Sequence, residues 1–497
     1  MSDTLKLHAS DNVAIALNPL VTDVGGIKTQ IPKSHKVALT DIPAGETVLR
    51  YGQMIGKASC FIPKGAHVHD HNLEMGAHAV DYDFSAAADP LPEAPKSRIF
   101  QGYRRDNGRF GTRNYLGILT SVNCSGSVAR FIAEAAEKSG LLDDYPNVDG
   151  IVPIVHGTGC GMSNRGDGYD VLLRTLAGYA KHPNFGGVLL VGLGCEVLQL
   201  ADLIGGQTLS TQGALRYMTI QQSGGTKRTI DKGLAELASL ADFANAAYRT
   251  PAPVSELVLG MQCGGSDGYS GFTANPALGV ASDLLVQHGG TSILSETSEI
   301  FGAEHLLTRR AVSPDVGQAL INKLEWWVAY CDKHDAKMDN NPSPGNKRGG
   351  LTTILEKSLG AISKSGQAPL NGVFQYAEEL TEKGLVFMDS PGFDPCSVTG
   401  QIASGANLIA FTTGRGSVSG YMPTPCVKLA SNSELFSRMR DDMDINCGDV
   451  AHGTSLALKG REIFDMLIDV ASGARTKSEH LGYGGVEFVP WQQGAVL

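Results

Sequence analysis

The apolar positions divide the chain by their period. Up to about residue 84 they fall in short alternating runs: KLHA, VAIAL, HKVALTDI, ETVLRYG and MIGKA, separated by the turns IPAGE and IPKGA. Period-two alternation bounded by turn residues marks half-buried strands, so residues 1–84 read as a small all-β module. The stretch SAAADPLPEAPKS is rich in Pro and Ala and has no apolar period, which makes 85–98 a linker. From residue 99 strands alternate with helices. LGILTSV precedes the helical SVARFIAEAAEKSG, and VDGIVPIVHG, VLLRTLAGYAKH, GGVLLVGLG and a helix around Lys232–Tyr248 follow. ELVLGMQCGG opens a second such series, continued by ASDLLVQHGGTSILSETSEI, GLVFMDSP, ANLIAFTTGRG and PCVKLASNSELF. Continuous Val/Ile/Leu runs between helices belong to parallel sheets buried on both faces. The expected fold is therefore an all-β module followed by two α/β regions with mainly parallel sheets, at 99–252 and 253–497.

Four of these runs close on a cysteine: Cys124, Cys160, Cys195 and Cys263. Ligand sites of open α/β sheets lie beyond the carboxyl ends of the strands, so the four thiols are expected to converge. Thiolates select soft metals, zinc, Cu(I) or iron–sulfur clusters. The spacing contains no CxxC pair and fits no zinc ribbon or finger. Three thiolates on a cluster, or one iron with mixed ligands, are both compatible with it.

The remaining chemistry sits in polar loops. GAHVHDHN puts His67, His69 and His71 on one face of a strand, a set suited to metal binding or proton transfer. NPSPGNKRGG presents Lys347 and Arg348, and TTGRG presents Arg415, as cations for a carboxylate or phosphate. QCGGSDGYSGFTANP carries Ser266, Asp267, Thr273 and Asn275, small polar groups that suit sugar hydroxyls. Asp267, Glu196 and His156 each lie just past an expected strand and are candidate acid/base groups. No Walker motif occurs, and VGLGCE lacks the third glycine of a dinucleotide fingerprint.

Composition narrows the partners. With 497 residues the chain exceeds one core, and its net charge of −10 argues against a nucleic-acid surface. No run approaches the roughly 20 apolar residues of a membrane span, and the first residues lack the apolar stretch of an export signal. A cytoplasmic protein is expected. Nine cysteines in such a protein point to free thiols or metal ligands rather than disulfides.

Taken together, DNVAIAL, HKVALTDIPAGE, GYRRDNGRFGTRN, HGTGCG, GLGCE, CGGSDGYSGFTANP, NPSPGNKRGGLTTILEKSLG and FTTGRG resemble the altronate/galactarate dehydratase family of sugar-acid dehydratases over nearly the whole length. The resemblance implies that the N-terminal module is a SAF-type (β-clip) domain and that the body eliminates water from a sugar acid with iron, giving a 2-keto-3-deoxy acid. HVHDHN resembles the altronate branch, whereas VSELVLGMQCGGSD and GVASDLL resemble the galactarate branch. D-altronate is the expected substrate and galactarate the alternative. Cys124, Cys160, Cys195 and Cys263 match positions that carry Cys in the family. With His69 they are the expected ligands of Fe2+ or an iron–sulfur cluster, and the other five cysteines are expected to be structural. Lys347 and Arg415 would hold the carboxylate, Ser266, Thr273 and Asn275 the hydroxyls, and His156, Glu196 or Asp267 would move protons. A small-molecule sugar acid is the expected partner, and a homodimer the expected assembly. Rival readings are a sulfolactate-type sulfo-lyase and a non-catalytic regulator that binds a metal or sugar acid. The acidic charge and the lack of a DNA-binding motif argue against the regulator.

Overall fold

The computed structural model describes residues 3–76, 81–92, 94, 96–206, 209 and 214–497. Part of the linker expected at 85–98 therefore lies outside the described residues. The N-terminal module is built from antiparallel strands. One sheet orders Thr4–Leu5, Val13–Ala16, Lys36–Ala38 and His67–Val68, and another orders Thr47–Arg50, Gln53–Ala58 and Leu73–Glu74. A separate hairpin pairs Leu20–Val24 with Ile27–Ile31 around Gly25 and Gly26. All four residues of Val13–Ala16 are buried, because the strand has protein on both faces. Ala14 and Ala16 pack with Ile31 and Val37 inside the module, whereas Ile15 and Leu17 pack on Tyr269 and Phe272 of the body. Docking on the body thus buries the strand face that would otherwise be open to water.

The first α/β region is a parallel sheet in the order Gly150–Ile154, Tyr115–Thr120, Phe185–Gly192, Leu215–Thr219. Its strands alternate between two cores, as period two requires. Leu116 and Ile118 pack under helices Gly126–Lys138 and Thr226–Asn245, and Leu119 packs with Leu176 of helix Asp167–Ala180. The second region is a seven-stranded parallel sheet. Its order is Leu370–Phe374, Gly384–Met388, Thr291–Leu294, Val258–Cys263, Leu408–Thr413, Cys426–Ala430, Ile445–Asn446. Val258–Cys263 comes first in sequence, and later strands are added on both sides of it. The direction of winding reverses between it and Leu408–Thr413, which makes the loops after these two strands a topological switch point. The expected fold class is therefore the observed one.

Two connections tie the regions together. Ile99–Arg104 and Arg249–Pro253, from the two ends of the first α/β region, pair antiparallel in a small sheet with Phe110–Gly111. The last residues run back across the molecule. Phe488 packs on Tyr179, Trp491 stacks on Trp327 with ring centroids 5.3 Å apart, and the Leu497 amide donates to the Gly161 carbonyl. Trp326, on helix Pro314–Lys333, joins the same aromatic group. Among the described residues no helix is long and apolar enough to cross a membrane.

Candidate active site

Among the described residues the four strand-end cysteines do not come within 4.8 Å of one another as donors to a single ion, which corrects the expectation of one mononuclear site. Cys124, Cys160 and Cys195 follow three adjacent strands of the first sheet, whereas Cys263 ends a strand of the other. The rule that sites lie at strand ends holds within a sheet and says nothing about strands of different sheets. The first three thiols are exposed, and their loops are pinned together. The Asn123 amide donates to the Thr158 carbonyl, and the Val197 and Leu198 amides donate to the Gly159 carbonyl. Gly159 has φ +96°, and a Cβ there would run into the Ser121 carbonyl. Among the described residues, two groups bring three potential metal donors within 4.8 Å of one another: His35/His67/His69 and Cys263/Glu296/Glu299. Cys263 and His69 belong to different groups, and Cys124, Cys160 and Cys195 to neither.

The Cys263 group lies beside a cavity of 560 Å³ at the carboxyl ends of the seven-stranded sheet. Cys263, Ser298, Glu299, Lys357 and Asp394 line it with Trp327, Tyr330, Lys337, Asn341 and Asn346. Lys357 Nζ donates to Glu299 Oε1 at 2.6 Å and to Asn341 Oδ1 at 2.9 Å. Lys364 Nζ donates to Cys263 Sγ at 2.8 Å and lies 3.7 Å from Glu296 Oε2. Neither carboxylate oxygen of Glu296 has a hydrogen-bond partner, although the residue is 1% exposed. Its backbone is left-handed at φ +71°. Such a conformation costs about 1–3 kcal/mol in a non-glycine residue and recurs at functional sites. Asp394 Oδ1 accepts from Gln262 Nε2 at 2.9 Å, and a Cβ on Gly264 would collide with the Asp394 carboxylate.

Burial sets the protonation states here. It pushes the Cys263 thiol up to about 12, against the pull of Lys364, so the sulfur keeps its proton. It also raises Glu296 well above the ordinary carboxylate range, reinforced by the charge of Glu299. Burial acts on Glu299 in the same direction, but Lys357 and Lys364 outweigh it and keep that carboxylate ionised. Asp394 is raised to about 6 by burial, which places a carboxylate near the pH where acid/base exchange is efficient. Glu296, Glu299, Lys357, Lys364 and Asp394 were not singled out from the sequence. The residues chosen there were conspicuous in glycine-rich or histidine-rich loops, and these five are not.

A smaller cavity of 230 Å³ occupies the switch point, between the two strand-end loops and residues 32–34 of the β module. Lys33, Arg348, Arg415 and Arg438 line it against Asp267 and Glu434. Arg415 and Asp267 are thus brought together as expected, and Lys347 is replaced on this wall by its neighbour Arg348. Asp267 is held rigidly: Oδ1 accepts from the amides of Tyr269 and Ser270 and from the hydroxyls of Ser270 and Ser431, and Oδ2 accepts from Asn432. Ser266 lines neither cavity. Its carbonyl accepts from Asn346 Nδ2. Thr273 and Asn275 are corrected to structural roles. Thr273 Oγ1 lies within hydrogen-bond reach of the Tyr269 and Ser431 carbonyls, and Asn275 bridges the Gly360 carbonyl and Thr412, both residues being fully buried.

His156 and Glu196 are likewise committed to holding the fold. His156 Nε2 donates to the Thr120 carbonyl and Nδ1 accepts from the Thr158 amide, and burial lowers the ring to about 4. It is a neutral brace with no free nitrogen. Glu196 accepts from Ser121 Oγ at 2.6 Å and from the amides of Leu193 and Gly194, which closes the loop around Cys195.

The β module is locked to the body beside the smaller cavity. Glu356 Oε2 accepts from Lys36 Nζ at 2.9 Å and Oε1 from Arg50 Nη1 at 2.5 Å, all three side chains being fully buried. Burial would raise the Glu356 carboxyl, but Lys36 and Arg50 overcome it and hold it at about 2.

Comparison with known proteins follows this division of the chain. Family models match consecutively: the altronate/galactarate dehydratase SAF domain over residues 2–76, the second domain of D-galactarate dehydratase/altronate hydrolase over 102–245, and the D-galactarate/altronate dehydratase C-terminal domain over 254–496. The chain is 39% identical to galactarate dehydratase (L-threo-forming) of Escherichia coli K12, with 95% of this chain and 93% of the relative covered. It is 35% identical to altronate dehydratase of Bacillus subtilis 168 and 37% identical to that of Escherichia coli K12, with 96% of this chain covered in each case and 97% and 96% of the relatives. Three consecutive domain matches and full-length identity of this order establish that the chain belongs to the altronate/galactarate dehydratase family.

Proposed function

We propose that this chain is a hydro-lyase that removes water from a sugar acid, giving a 2-keto-3-deoxy acid, in the 560 Å³ cavity at the ends of the seven-stranded sheet. The observation that carries the reading is the assembly of Asp394, Lys357 and Glu299 on one wall of that cavity. Elimination next to a carboxylate requires a base for the α-proton and fixed positive charge for the enediolate that develops. Asp394, raised to about 6, is mostly ionised at neutral pH; it takes the α-proton, and the carboxyl so formed returns that proton to the departing β-hydroxyl, which leaves as water. The Lys357 ammonium, fixed by Glu299 and Asn341, stabilises the developing charge without reorienting. Ser298 and Asn346 lie on the same wall and suit substrate hydroxyls.

The cavity wall also favours one branch of substrates. Lys337 and Lys357 are the Lys and Arg residues that line it, and together they suit a single carboxylate. Among the described residues no further Lys or Arg lines it for the second carboxylate of a hexarate. D-altronate is therefore the proposed substrate, ahead of galactarate.

Cys263, Glu296 and Glu299 fit iron as the metal. Both oxygens of buried Glu296 accept no hydrogen bond, and one thiolate with two carboxylates is a mixed donor set suited to a ferrous ion. When bound, such an ion supplies Lewis acidity to a substrate oxygen. Its uptake would require Cys263 and Glu296 to lose their protons, so affinity should fall as pH falls.

The reading is tested by 2-keto-3-deoxy acid formation from D-altronate and galactarate with ferrous iron and reductant. Product from D-altronate that disappears in Asp394→Asn is the expected result. No product from either acid with iron-loaded protein would sink the assignment.

A further inference from the structure

We infer that His35, His67 and His69 form a binding site for a first-row divalent transition cation at the seam between the β module and the body. This inference does not depend on the reaction assigned to the larger cavity. The module's strand register creates the site. Lys36 pairs with Val68 and Val37 with His67 in antiparallel register, which carries His35 opposite His69 and diagonally beside His67. The three ring centroids are 4.7–5.3 Å apart, and one nitrogen from each ring lies within 4.8 Å of the others. His71, expected from sequence in this set, is exposed and contacts the edge of the group through His67.

The hydrogen bonds point to a ligand rather than to a closed network. His35 Nε2 donates to the Arg348 carbonyl at 3.2 Å, which fixes the tautomer and leaves the Nδ1 lone pair directed at His67 Nε2, 2.9 Å away. A backbone carbonyl on the far nitrogen is the usual outer support of a metal-bound histidine. His69 Nδ1 is buried with no partner at all.

Three imidazoles without a carboxylate select Zn2+, Fe2+ or Co2+ over Mg2+ and Ca2+. Three protein donors also leave a position for water or an anion. Arg348, whose carbonyl holds His35, lines the neighbouring cationic cavity with Arg415, so an anionic co-ligand is the class expected there.

The test is titration of the chelator-stripped full-length protein with Co2+, followed by visible absorption, calorimetry and imidazole nitrogen NMR. One of the equivalents bound should shift three imidazoles, and excess Mg2+ or Ca2+ should not displace it. His67→Gln and His69→Gln should each weaken this equivalent by about 100-fold or more, with unchanged circular dichroism and thermal unfolding marking intact folding. Cys263→Ser should leave it in place, which separates this site from the one proposed beside the larger cavity. Unmoved imidazole signals in the wild type, wild-type affinity in the His67→Gln and His69→Gln variants, or displacement by Mg2+ would overturn the assignment.

Discussion

Replacing Glu356 by Gln should loosen the β module from the body by several kcal/mol. The carboxylate is fully buried and accepts four hydrogen bonds, from Lys36, Arg50, and the amide and hydroxyl of Thr352. Glutamine keeps the shape but leaves two buried cations facing a neutral group, and breaking a buried ion pair in this way costs about 3–5 kcal/mol. The protonation state gives an independent figure. A carboxyl held at about 2 instead of 4.5 corresponds to about 3 kcal/mol at 1.36 kcal/mol per pH unit. Because the folded value lies below the unfolded one, this stabilisation is complete above pH 4.5 and is lost as pH falls toward 2. Hydrogen exchange of the module's amides at pH 7 is the assay. Opening that is cheaper by 3 kcal/mol accelerates exchange by about 100-fold in residues 3–76. The combined change Lys36→Met, Arg50→Met and Glu356→Leu removes all three charges and should be less damaging than Glu356→Gln alone. Unchanged protection in Glu356→Gln, or equal damage in the triple variant, would refute the argument from unpaired charge.

Three further outcomes follow from the same side chains. The pH profile of kcat/KM should rise through about 6 and then level as Asp394 ionises, and Asp394→Asn should abolish that limb with a loss of about 10²–10⁴ in rate. Lys357→Met should cost about 10²–10³ in kcat, with circular dichroism checking that the fold survives, and near-normal kcat would remove Lys357 from the chemistry. His156→Leu should lower stability by about 1–3 kcal/mol in denaturant melts, because the Thr120 carbonyl loses its donor, while kcat/KM stays unchanged.

The parallel strands were legible because they are buried on both faces and read as unbroken apolar runs, as in Phe185–Gly192. The hairpin Leu20–Val24 with Ile27–Ile31 was not, because most of its residues are exposed or half-buried and its alternation is weak. Helix Pro314–Lys333 carries sequence signals of its own, a Ser313 cap followed by Pro314, and it places Trp327 and Tyr330 on the cavity wall. His35 was hidden for a different reason. It is a single histidine in one strand, and only the cross-strand register brings it to His67 and His69. Glu296, Glu299, Lys357, Lys364 and Asp394 come from three separate stretches of the chain, so only the order of strands in the sheet assembles them around Cys263. Local conspicuousness misled at Thr273 and Asn275, whose polar atoms hold backbone in place.

The aromatic group at the end of the chain also makes the protein self-reporting. Its three tryptophans, Trp326, Trp327 and Trp491, are all in this group, with ring centroids 5.3–5.8 Å apart. Indole emission therefore comes from a single junction, where the tail crosses helix Pro314–Lys333 and Trp327 forms part of the cavity wall. Entry of a ligand into that cavity, or release of the tail, becomes an optical signal free of background from other tryptophans. Unlabelled protein in a stopped-flow fluorimeter can then time substrate arrival separately from chemistry.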